Sequence, residues 1–269
     1  MGTSYRHIIA EREGDTVTVW MNEPERRNVL TLAHMLELTR ALSEVGESDA
    51  TGVILAAKGP VFCAGHDFTE MADQDLESVR HLFRVCTQMM QTMQAIPQPV
   101  IARVHALATG AGCQMVAAAD LAVASHEATF CTPGGKGGLF CTTPLVAVGR
   151  VMARKRALEM AMSGDVIDAH TAAAWGLVNY AVPHDELESA TDMLMGRVTR
   201  GSTTSKAIGK RAFYRQIDLD QTDAYDYAIE VMAAAALEPD SQEAIAAFLG
   251  KRAPLWRKKG EKKGESVGE

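Results

Sequence analysis

The segment that most constrains the fold is residues 104–125, V-H-A-L-A-T-G-A-G-C-Q-M-V-A-A-A-D-L-A-V-A-S. An apolar extended stretch passes through Gly110 and Gly112 into an alanine-rich helix, and a second apolar strand follows Asp120. Strand, glycine turn, helix and strand in succession specify an α/β layer. A helix start presents unpaired N–H groups and the positive end of the macrodipole, which suits either a phosphate or the oxygen of a reacting group. A dinucleotide fingerprint would need a third glycine and an acidic residue about twenty residues further on. Met115 stands in the place of that glycine, and Phe130 and Cys131 lie where the acid should be. The phosphate of a dinucleotide is therefore a poor match.

The rest of the chain extends the α/β reading. Residues 15–21 (D-T-V-T-V-W-M) alternate like a half-buried strand, and residues 51–57 (T-G-V-I-L-A-A) read as a buried one. Between them residues 31–45 have helical spacing, with Asn28 as a turn or cap residue ahead of them. Residues 75–96 form a long helix striped with Leu, Val and Met, and short strands are expected at 100–106, 121–124 and 129–131. From Pro144 the pattern is nearly all helix, interrupted at 177–182. These signals divide the chain into a core over residues 1–200, a helical region over 201–256 and a charged flexible tail over 257–269, R-K-K-G-E-K-K-G-E-S-V-G-E.

Composition narrows the function classes. The net charge of −7 argues against a general affinity for nucleic acid or anionic membrane. No apolar run approaches the roughly eighteen residues of a membrane span, so no membrane insertion is expected. Residues 1–12 lack the apolar centre of a signal peptide, which points to the cytoplasm, although a removed organellar presequence would leave no trace. The five cysteines, at 63, 86, 113, 131 and 141, show no metal-ligand spacing and read as reduced, mostly buried thiols, so no metal is expected.

Two glycine loops, F-C-A-G-H-D-F (62–68) and A-T-G-A-G-C-Q (108–114), each follow a strand. Either alone reads as a tight turn. Together they offer two backbone amides, from His66 and Ala111, that could share one oxygen, and glycine beside each keeps side chains out of the way. On several ordered motifs the chain resembles the enoyl-CoA hydratase/isomerase (crotonase) family. Asn22, Pro24, Asn28 and Leu30 match its opening N-x-P-x-x-x-N-x-L, and Phe62, Ala64, Gly65 and Asp67 match F-x-A-G-x-D, followed by Glu70 and Met71. The stretch A-A-A-W-G-L-V-N-Y-A-V-P is similar to A-x-x-x-G-L-V-x-x-V-V, and A-I-A-A-F-L-G-K-R to the C-terminal A-F-x-x-K-R.

The resemblance implies a spiral of ββα units with C-terminal helices that build a homotrimer or a dimer of trimers. It implies an acyl-CoA thioester as ligand, with coenzyme A part of the substrate and no separate cofactor, in fatty-acid or related acyl-CoA metabolism. It places His66 and Ala111 as oxyanion-hole amides and puts Ala64, Gly65, Asp67, Gly110, Gln114 and Gly134 around the substrate. Arg26 and Arg27 would run beside the adenosine part, with Phe248 near the adenine and Lys251 near the nucleotide; each of these cations reads equally as solvated surface charge. Thr69 stands where many relatives carry a phosphate-binding lysine.

The family's hydratases use two glutamates at the positions of Gln114 and Gly134, and some relatives have an aspartate where this chain has Thr142. A carboxamide and a glycine cannot exchange protons with substrate. The segment T-P-G-G-K-G-G-L-F-C-T-T-P resembles that of the enoyl-CoA hydratase domain-containing subgroup, which also lacks the glutamates. His66 is then the first candidate base, against a plain role in the pocket wall or a pairing with Asp67. The two readings to weigh are an enzyme of hydratase or isomerase type and a binding or regulatory protein that keeps the thioester site without its chemistry.

Overall fold

The structure, a computed structural model, describes residues 4–256; the tail expected at 257–269 lies outside them. The chain divides into two compact units, the first ending at Val198 and the second beginning at Thr199. The first contains β1 (Ile8–Glu13), β2 (Thr16–Met21), α1 (Leu32–Glu47), β3 (Gly52–Ala57), α2 (Leu76–Ala95) and β4 (Val100–Val104). It continues through β5 (Ala108–Thr109), α3 (Ala111–Ala118), β6 (Leu121–Ser125), β7 (Thr129–Cys131), α4 (Gly134–Gly137) and α5 (Thr142–Val151). It ends with α6 (Arg154–Ser163), β8 (Ile167–Asp168), α7 (Ala169–Trp175), β9 (Tyr180–Val182) and α8 (Leu187–Thr199), whose last turn carries the division. The second unit holds α9 (Thr203–Gln216), α10 (Gln221–Ala236) and α11 (Pro239–Leu249).

Two sheets organise the first unit. The larger runs β1-β2-β3-β4-β6-β9, parallel except for the β1/β2 hairpin, and the smaller runs β5-β7-β8. Successive turns of chain give one strand to each sheet, β4 then β5, β6 then β7. Side chains alternate along the strands of the larger sheet and thereby split its two faces. Val53 and Leu55 of β3 join Val17, Val19 and Met21 of β2 in a core filled by Leu38 and Leu42 of α1 and Met89 and Met93 of α2. Ile54 and Ala56 point the other way with Ile101 and Val123, onto Leu187, Leu194 and Met195 of α8.

The expected strands and helices are present with shifted ends. Thr31, not Asn28, caps α1 by accepting a hydrogen bond from the His34 amide, and Asp75 caps α2 through the Ser78 amide. The sequence reading missed β1, because only its first residue is fully buried and the period-two signal is weak, and it missed the two-residue strands β5 and β8, which are too short to show a period.

Candidate active site

The two glycine loops meet because they run in register. Cys63 bridges Ala108 in parallel, with the Cys63 amide donating to the Leu107 carbonyl (3.1 Å) and the Thr109 amide to the Cys63 carbonyl (3.0 Å). Continued by two residues, a parallel ladder would have the Ala111 amide donate to the Gly65 carbonyl. It does not continue. Gly65 turns to φ +84°, a conformation open to glycine, and its carbonyl accepts instead from the Leu30 amide at 2.8 Å. Ala111, the first residue of α3, keeps an N–H with no backbone acceptor among the described residues. His66 pairs with Leu30 in a parallel bridge that uses the flanking Gly65 carbonyl and Asp67 amide, so its own N–H faces away from Leu30 and is likewise unpaired among the described residues.

Glycine is required here for two separate reasons. Gly65 and Gly110 (φ +55°, ψ −117°) need their backbone angles, and a Cβ on Gly65 would lie 3.0 Å from the Thr109 carbonyl and 3.4 Å from the Ala111 nitrogen. A Cβ on Gly110 would meet nothing within 4 Å, so open space lies in front of it. Gly112 is different: its Cβ would overlap the Cys63 carbonyl and lie 2.8 Å from the Cys63 side chain. Gly112 therefore lets α3 lie against the first loop, a packing duty that the glycine pattern alone does not separate from a ligand contact.

His66 is mostly buried, its ring edge-on to Phe83 of α2 with centroids 5.3 Å apart. Burial pushes its imidazole below the ordinary histidine range; the Leu30 carbonyl opposes that shift from outside hydrogen-bonding geometry. Neither ring nitrogen has a hydrogen-bond partner among the described residues. The pairing with Asp67 does not occur, because Asp67 accepts from the Thr69 amide (3.0 Å) and hydroxyl (2.8 Å) and is paired with the half-exposed Arg26. Burial acts to raise the Asp67 carboxyl, but the Thr69 hydrogen bonds and the Arg26 guanidinium outweigh it and hold it below the ordinary range. Beside Phe83 a cleft of about 550 Å³ follows α2, lined by Leu76, Val79 and Thr87 with Arg80 and Arg84. Phe83 was hidden in the sequence inside an ordinary helical stripe.

The positions where the resemblance expects carboxylates are built differently. Gln114 follows Ala111 by one turn of α3, is buried, and its Oε1 has no hydrogen-bond partner among the described residues. Gly134 begins α4 at the end of the β7 loop, where a Cβ would overlap the Leu139 carbonyl and lie 2.8 Å from the Cys141 sulfur. The Gly134 amide donates to that sulfur at 3.3 Å. Thr142 opens α5 and is exposed. Burial pushes the Cys131 and Cys141 thiols upward, which keeps them protonated and poorly nucleophilic. Thr132, fully buried with an unpaired hydroxyl among the described residues, opens the T-P-G-G-K-G-G-L-F-C-T-T-P segment, whose resemblance gave it no role of its own. Arg27 is exposed at φ +55°, while Phe248 and Lys251 belong to the second unit, Phe248 exposed near the end of α11 and Lys251 just past it. Among the described residues no group of three or more His, Cys, Asp or Glu side chains could hold a metal ion, and no helix is long and apolar enough to cross a membrane.

Comparison with known proteins gives a consistent result. The family described as enoyl-CoA hydratase/isomerase matches residues 11–259. The mitochondrial enoyl-CoA hydratase domain-containing protein 3 of Xenopus laevis is 40% identical over 92% of this chain and 85% of its own. The mevalonyl-coenzyme A hydratase of Aspergillus fumigatus is 29% identical over 88% of this chain and 89% of its own. An enoyl-CoA hydratase crystal structure from Mycobacterium smegmatis superposes with a TM-score of 0.90 at 40% identity, covering 93% of this chain and 99% of that one. The human enoyl-CoA hydratase domain-containing protein 3 gives 0.89 at 38% identity, over 93% and 100%.

Proposed function

Since the chain belongs to the enoyl-CoA hydratase/isomerase family, we propose that it binds an acyl- or enoyl-CoA thioester and holds the thioester oxygen between the His66 and Ala111 amides. The observation that carries this reading is the broken rung at Gly65, which leaves both N–H groups without a backbone partner on adjacent strands. Fixed donors of this kind stabilise the enolate oxygen that develops when a proton leaves Cα or a nucleophile adds to Cβ. No carboxylate stands at 114 or 134 to position water. The buried, neutral His66 imidazole, with one nitrogen carrying a proton and the other a lone pair, is the group we assign to proton transfer at Cα.

Arg26 and Arg27 are the groups we assign to the nucleotide part, with Arg26 shared between phosphate and Asp67. The apolar side chains that α9, α10 and α11 expose, among them Phe213, Tyr225, Ile229 and Met232, support a trimer or a dimer of trimers. The five cysteines, all free thiols, support a reducing aqueous compartment, the cytoplasm or an organelle matrix.

A second reading, a thioester-binding protein with reduced chemistry, is favoured by Gly134, whose surroundings leave no room for any side chain. Loss of the conjugated-thioester absorbance of crotonyl-CoA, compared between wild type and His66→Pro, tests the pair. Wild-type turnover that is lost when the His66 amide and imidazole are removed together supports the enzyme; tight thioester binding with no turnover by the wild type supports the second reading; no binding at all removes both.

A further inference from the structure

The loop that carries His66 is strapped to residues 27–30. The Ala64 amide donates to the Arg27 carbonyl (3.1 Å), the Leu30 amide to Gly65 (2.8 Å), and the Asp67 amide to Leu30 (3.4 Å). That strap is strained: Arg27 and Asn28 both adopt left-handed angles, φ +55° and +51°, which side chains other than glycine occupy only at a cost. The fully buried Asn28 holds one side of it, accepting from the Glu23 amide (2.9 Å) and donating to the Lys58 and Val61 carbonyls (both 2.8 Å). The other side is held by His34, whose Nδ1 lies 3.0 Å from the Val29 carbonyl and carries the proton.

Behind this strap sits a titratable cluster. Glu23 Oε1 is 2.9 Å from His7 Nδ1, and Glu23 Oε2 is 3.6 Å from His34 Nδ1. The two imidazoles stack with centroids 6.0 Å apart, and His34 is fully buried. Glu23 Oε2 and His34 Nε2 are both buried without a hydrogen-bond partner among the described residues. Natural proteins seldom leave such atoms unpaired in packing alone. The other charged groups facing the cluster are on α1: Glu37, which accepts the Arg6 and His7 amides, and Arg40 near it.

We propose that His7, Glu23 and His34 are positioning residues for the His66 amide, and that gain of a proton by the cluster loosens the 27–30 strap and with it the 62–67 loop. With Glu23 ionised and the imidazoles neutral, the carboxylate faces an Nδ1–H from each ring. A proton added to His34 falls on Nε2, where no acceptor waits; one added to Glu23 removes the charge that both rings face. The added charge does not itself weaken the bond from His34 to Val29, the neighbour of the residue that pairs with His66; its cost is an imidazolium buried without an acceptor, which opening of the 27–30 strap to water relieves, while a neutral Glu23 removes an attraction that opposes that opening. Burial, which keeps His34 below its ordinary range, is consistent with a neutral resting state. This inference rests on the role proposed for His66, but its test does not.

The experiment is hydrogen exchange read by mass spectrometry on the peptide over residues 61–67. It compares wild type, Glu23→Gln and His34→Gln at about pH 7.5 and about pH 5.5, either side of the ordinary imidazole range, with intrinsic exchange corrected and β3 and β4 peptides as controls. The expected result is exchange at least about fivefold faster in Glu23→Gln at the higher pH, a comparable acceleration of the wild type at the lower pH, and loss of that pH response in His34→Gln. Equal protection of the peptide in all three proteins at both pH values overturns the proposal, as does acceleration shared equally by β3 and β4. Should Glu23→Gln not fold, the wild-type pH pair decides. Absence of thioester binding by the wild type would remove the functional reading and leave this result intact.

Discussion

At the scale of single residues, Gln114 and Gly134 occupy equivalent roles in the resemblance and opposite situations in the structure. Gln114 has a side chain of glutamate's shape and an unpaired buried oxygen, so Gln114→Glu can be accommodated. Gly134 has no space for even a Cβ. We expect Gln114→Glu to fold and to raise crotonyl-CoA hydration at least about tenfold, within the usual worth of a general acid–base group, while Gly134→Glu forces the 134–141 loop apart and lowers the melting temperature. Hydration assays beside thermal unfolding separate the two; an inactive Gln114→Glu with intact thioester binding would mean that the oxygen is not within reach of the reacting carbon. Gly65→Ala combines a left-handed φ with a 3.0 Å contact and should cost roughly 1–3 kcal/mol of stability together with most thioester binding.

At the scale of elements, much of the fold was legible because the signals were periodic. The stripe of α2 and the alternation in β2 each follow directly from residue order. The meeting of the two loops was legible only as a coincidence of glycines. What joins them is a single parallel bridge, Cys63 to Ala108, and register between segments far apart in sequence leaves no local mark. Asn28 shows the same limit: the motif flagged it, and helix-start chemistry suggested a cap, but its partners are the carbonyls of Lys58 and Val61. Asn28→Ala removes the partner of two part-buried carbonyls and one amide and leaves alanine at a left-handed angle. The loss should be at least about 3 kcal/mol, read from the midpoint of urea unfolding; a change under about 1 kcal/mol, the worth of a single ordinary hydrogen bond, would show that the strap is held by other contacts.

At the scale of the whole molecule, three histidines share one electrostatic bias. Burial pushes His34, His66 and His105 below the ordinary imidazole range. The unfolded chain, with pKa values near 6.5, therefore binds protons that the folded chain refuses. Stability is full above about pH 6.5 and falls as the pH drops below it, until the folded-state pKa values are reached. His34, fully buried, contributes up to about 1.4 kcal/mol per pH unit, and the partly accessible His66 and His105 contribute less. Urea midpoints measured between about pH 5 and about pH 7.5 should fall with acidity and flatten in His34→Gln; a flat wild-type profile would mean that these rings are protonated in the fold.

The broken rung at Gly65 also bears on how such a site can change over time. Its donors belong to the main chain, so nineteen of the twenty genetic choices at position 66 preserve the N–H and only proline deletes it. The side chain there is free to drift, and with it the shape and acid–base character of whatever lies beside the two N–H groups. On the proposed reading, a lineage can thus exchange one reaction for another, or for none, while the two donors stay in place.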